Sequence, residues 1–76
     1  MNTTIKKTIG IGDAGVPFDV SINVDYEQQG NLIIVTDWME DDSPYDNPGE
    51  KWFQKMKEVI SDFFYDQNEH YQVHFR

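Results

Sequence analysis

The chain contains no cysteine. Neither a disulfide framework nor a thiolate zinc site can therefore hold it, and stability must come from packing, which fits a reducing compartment. Bases are scarce too: six Lys and Arg face fourteen Asp and Glu, for a formal charge of −8 over 76 residues. That imbalance disfavours direct binding to nucleic acid backbones or anionic membranes and points to a basic protein surface as the natural partner. Long apolar runs are missing as well. The opening MNTTIKKTIG has two lysines with no hydrophobic stretch behind them, so it reads as neither signal peptide nor membrane anchor, and the expected location is cytoplasmic. A chain of this length has room for one core, so we expect a single domain over 1–76.

What is present is organised around Asn47 to Asp66, NPGEKWFQKMKEVISDFFYD. Asn47 suits an N-cap, Pro48 the first helical position, and Glu50 the reciprocal partner of a capping box. At 100° per residue Trp52, Phe53, Met56, Val59, Ile60, Phe63 and Phe64 share an arc of roughly 140°, the width of a helix laid on a sheet. Asn68 is placed to end it as a left-handed C-cap.

Strand patterns fill the remainder. Thr3 to Ile11 alternates, with Lys7 alone on the apolar side, as in an edge strand guarded against edge-to-edge pairing. Phe18, Val20, Ile22, Val24 and Tyr26 alternate without a break against Asp19, Ser21, Asn23 and Asp25. Glu27 to Asn31 reads as a hairpin with Gly30 free to take positive φ, leading to Leu32–Val35, which is apolar on both faces. With one helix covering one face, either Leu32 with Ile34 or Ile33 with Val35 must lie on the open one. Tyr71, Val73 and Phe75 alternate with His70, Gln72 and His74 in a last strand. The expected fold is α+β, in the order β-β-β-α-β: an antiparallel meander, a helix on one face, and a final strand parallel to its neighbour. Sheet order 4-1-2-3 is preferred over 1-2-3-4 because a crossover then carries the helix over the middle of the sheet. The expected core is Phe18, Val20, Ile22, Val24, Trp52 or Phe53, Met56, Ile60, Phe63, Val73 and Phe75.

Several motif-like stretches do not carry the chemistry they suggest. Gly10 to Gly15 spells G-x-G-x-x-G, but an alternating strand follows where a dinucleotide site needs a helix, so the glycines read as a turn. His70 and His74 are four apart on an extended strand, about 13 Å, too far to share a metal ion. The acids of Asp37–Glu50 lack the EF-hand spacing. No nucleophile has a base near it in sequence, and one sheet with one helix offers little depth for a carboxylate dyad. We expect no enzyme, no cofactor and no metal.

Binding is the remaining class. Asp37–Glu50 reads as a loop in which Trp38, Met39 and Tyr45 stand among acids, a mixture found at protein interfaces. Glu58, Asp62 and Asp66 repeat along one edge of the helix, where like charges repel and the last two oppose the macrodipole. Lys55, Arg76 and His70 are the bases available to offset them. The candidate partner-binding residues are thus Trp38, Glu40, Asp41, Asp42, Tyr45, Asp46, Glu58, Asp62 and Asp66, with the acids placed where folding gains nothing from them. In size, charge and element pattern the chain resembles the small acidic anti-CRISPR and anti-restriction proteins of phages. That resemblance implies a DNA-mimic type of inhibitor in the host cytoplasm that occupies the nucleic-acid site of a nuclease or CRISPR effector. An immunity protein or antitoxin against a basic toxin is the alternative, and a subunit that dimerises through the open sheet face is a third.

Overall fold

The computed structural model describes residues 1–41 and 49–76. Its elements are β1 (Asn2–Ile11), β2 (Val16–Gln29), β3 (Leu32–Glu40), α1 (Glu50–Gln67) and β4 (Gln72–Phe75), an α+β domain in the expected β-β-β-α-β order. β1, β2 and β3 form the antiparallel meander and β4 runs parallel to β3. The strand order is β1-β2-β3-β4, not the preferred 4-1-2-3. The reason lies in Leu32–Val35: these are the residues that β4 pairs, Leu32 with Gln72 through Val35 with Phe75. A strand apolar on both faces belongs inside a sheet, whereas β1, with Lys6 and Lys7, tolerates an edge.

Of the Gly10–Gly15 stretch, Gly10 and Ile11 belong to β1 and residues 12–15 form the turn, with Gly12 and Gly15 at positive φ, and no helix starts there. The second hairpin is tighter than expected. β2 runs on to Gln29, which pairs with Leu32 across Gly30 and Asn31, and Gly30 takes φ +60°, as the first central position of a type II′ turn requires.

β3 also runs further than the sequence suggests, through Asp37 and Trp38 to Glu40, so the first part of the acidic stretch is strand rather than loop. A bulge accounts for this. The β2–β3 register shifts between Asp25 and Tyr26, where Asp25 faces Asp37 and Tyr26 faces Val35, leaving Thr36 as the extra residue, its hydroxyl donating to the Asp25 carbonyl at 3.2 Å. One inserted residue reverses the alternation beyond it. Ile33 and Val35 point at the helix before the bulge, and Trp38 and Glu40 do so after it. Leu32 and Ile34, then Asp37 and Met39, are left on the open face.

The helix begins at Glu50 with Gly49 as N-cap and no side-chain cap bond. Asn47 and Pro48, expected as cap and first turn, lie outside the described residues. At the other end Asn68 is extended (φ −158°, ψ 114°) rather than left-handed. Its N–H donates to the Phe64 carbonyl and its Oδ1 accepts the His70 N–H, so the polar side chain turns the backbone by local bonding instead. His70 accordingly sits in that turn rather than in the last strand.

Trp52, Met56, Val59, Ile60 and Phe64 are buried against Ile5 and Ile9 of β1, Val20, Ile22 and Val24 of β2, and Ile33 and Val35 of β3. Phe64 takes the place expected of Phe63, meeting Tyr26 edge-to-face at 5.0 Å and Tyr71 at 6.5 Å. The buried stripe drifts around α1 from Trp52 to Phe64, as it must when a straight helix crosses a twisted sheet. Phe18, Phe63, Val73 and Phe75 are partly buried at the rim of this core rather than within it. Val73 and Phe75 lie on the four-residue edge strand itself, which has a neighbouring strand on one side only.

Candidate interaction surface

The six of the nine expected contact residues that are described do not share one surface. Trp38 is half-buried and meets Phe53 edge-to-face at 5.9 Å, so it belongs to the flank of the core. Glu40 is also half-buried and accepts a 2.9 Å hydrogen bond from Trp52 Nε1. The expectation that folding gains nothing from Glu40 is therefore wrong: the bulge turns it toward the helix, where it satisfies a buried indole. Asp41 is exposed, with its backbone N–H held by the Ser21 carbonyl at 2.9 Å. Asp42, Tyr45 and Asp46 lie outside the described residues.

Glu58, Asp62 and Asp66 are exposed on α1. Phe53, which meets β3 through Trp38, lies about 180° around the helix from Asp62. The acidic ridge is thus on the opposite edge, the one over β1. Lys55 approaches Glu58 at 3.9 Å as expected. Arg76 instead pairs with Glu27 at 3.6 Å and His70 with Glu69, so among the described residues neither Asp62 nor Asp66 has an ion-pair partner, and no base stands in the last turn.

The open face of the sheet gathers further acids, outside the nine expected contact residues. β2 places Asp19, Ser21, Asn23, Asp25 and Glu27 along it, and the bulge sets Asp37 directly opposite Asp25. Like charges facing each other across strands are destabilising. Part of that repulsion is offset by dipoles: Asn2 Nδ2 donates to Asp25 and to Asn23, the Thr8 hydroxyl donates to Asp19, and Asp37 Oδ1 accepts the Trp38 N–H. Met39, opposite Asn23, is 69% exposed, with Asp37 two residues before it on the strand and Asp41 just past the strand's end. Only the alternation of acids along β2 was visible in the sequence. The face presented by Asp37 and Met39 depends on the bulge, which has no sequence mark.

Among the described residues no three His, Asp or Glu side chains converge as a metal site, and no helix is long and apolar enough to cross a membrane. No family model, curated protein or solved structure matches the chain.

Proposed function

We propose that this protein is a small acidic inhibitor that occupies the nucleic-acid site of a larger basic protein, such as a nuclease or CRISPR effector, in the manner of phage anti-CRISPR and anti-restriction proteins. The observation that carries this reading is Met39, a large apolar side chain 69% exposed on the open sheet face beside Asp37 and Asp41, with Asp25 facing Asp37 across the strands. Carboxylates held on a rigid sheet present a basic site with fixed negative charge at little entropic cost. The uncovered methionine supplies a contact that salt does not screen. Met39 here takes the anchoring role that Trp38, packed on Phe53, cannot.

Affinity capture with the immobilised chain identifies the partner, whose nucleic-acid binding is then titrated with the protein. Competition is expected. In binding kinetics at two salt concentrations, Asp37→Lys with Asp41→Lys should slow association and flatten its salt dependence without lowering the Tm, while Met39→Ala should speed dissociation. A partner that binds nucleic acid equally well with the protein bound, or unchanged kinetics in the charge-reversed variant, would sink this reading.

A further inference from the structure

The edge of the molecule along β1 and α1 has a charge order that the inhibitor reading leaves unused. Lys51, Lys55, Glu58, Asp62 and Asp66 fall within about 80° of the helix circumference, so they form one ridge. Lys51 and Lys55 border a groove shared with Ile9, Gly10 and Ile11, which places the ridge beside β1 and its basic half beside the end of that strand. One half of the ridge is basic and the other acidic. Reversing its direction therefore sets Lys51 against Asp66 and Lys55 against Asp62, both pairs centred between Glu58 and Val59. A ridge complementary to its own reverse is what a two-fold contact requires.

The strand beneath offers the matching half of the contact. β1 is a sheet edge ten residues long, and among the described residues no strand pairs its outer side. Met1 both donates to the Tyr26 carbonyl and accepts the Tyr26 N–H, each at 2.8 Å. In the antiparallel pattern this makes the odd-numbered residues of β1 bond inward to β2, while Thr4, Lys6 and Thr8 turn N–H and C=O outward. The two elements also agree on an axis. From Lys51 to Glu58 the helix advances roughly 10 Å, or about three strand residues, which carries the level from Gly10 to about Lys7, close to the midpoint of β1. Lys7 is the lysine on the helix-facing side of the strand, opposite Val20. At such an axis two Lys7 stand near two Glu58, and the four charges balance.

We infer that a second copy of this chain docks on this edge: two β1 strands pair antiparallel across a two-fold axis, joining the sheets into one of eight strands, while the helix ridges meet as Lys51–Asp66 and Lys55–Asp62 ion pairs. The open face with Met39 stays uncovered in this arrangement. Asp62 and Asp66, without ion-pair partners among the described residues, are assigned to the second copy rather than to a basic target.

Sedimentation equilibrium tests the assembly. The unaltered chain should dimerise. Lys51→Glu with Lys55→Glu makes the ridge wholly acidic, and Asp62→Lys with Asp66→Lys makes it mostly basic. Each variant alone should lose self-association by at least about tenfold in Kd, and the two mixed should form a 1:1 heterodimer, since both halves of the contact are then attractive. Amide exchange in the unaltered protein should show Thr4, Lys6 and Thr8 gaining protection with concentration. Lys6→Pro, which removes an outward N–H and leaves the β1–β2 ladder intact, should abolish the dimer while far-UV circular dichroism is retained. An unaltered chain that is monomeric at millimolar concentration, variants that fail to associate when mixed, open-ended oligomers, or amides of β1 indifferent to concentration would each overturn the inference.

Discussion

On its helix side the sheet buries Ile5, Ile9, Val20, Ile22, Val24, Ile33 and Val35, and no polar or charged residue among those described is buried. On its open side the same strands carry Asp19, Asp25, Glu27 and Asp37, with Asn2, Asn23 and Thr8 bonded among them. The first face is where folding free energy is gained. The second is where it is given up, since Asp25 and Asp37 could have been neutral without loss to the core. The difference between the two faces is measurable.

The comparison is broken most strongly from the helix side. Phe64→Ala should cost about 3–5 kcal/mol in chemical denaturation, and Ile60→Ala about 2–5 kcal/mol. Phe63→Ala should cost distinctly less than Phe64→Ala, and an equal cost would show that the helix is rotated from the orientation described. Next is Glu40→Ala, which removes the charged acceptor from Trp52 Nε1 and should cost about 1–3 kcal/mol. If Glu40 were a free surface acid, the Tm would not fall. The smallest effect has the opposite sign. Asp37→Asn should raise the Tm by about 2–5 °C at low salt, because it removes a like charge facing Asp25, and the gain should shrink as salt is added. A fall in Tm would mean that Asp37 serves the fold, and the contrast between the faces would then fail.

The alternation of β2 and the stripe of α1 were legible because each element buries one face against one neighbour, so period and burial coincide. The expected order 4-1-2-3 runs against a cue that the chain carries: Leu32–Val35, apolar on both faces, marks an interior strand, and Lys7 marks β1 as an edge. The bulge at Thr36 was illegible. Nothing local distinguishes the alternation of Ile33 and Val35 from that of Trp38 and Glu40, and only the register with β2 shows the phase change. That Trp38 and Glu40 turn toward the helix while Asp37 lies on the open face follows from that single residue.

The four-residue β4 has a consequence of its own. It is the cover on the flank of β3, with the Gln72 N–H bonded to the Asn31 carbonyl and the Arg76 N–H to the Val35 carbonyl. So short a strand frays at a small fraction of the global unfolding free energy. Each fraying event bares Leu32–Val35, an uncharged stretch rich in β-branched residues and free of proline, as a template for intermolecular cross-β growth. Under mild denaturation the protein should therefore be lost to aggregation, seeded at β3, before its core has melted.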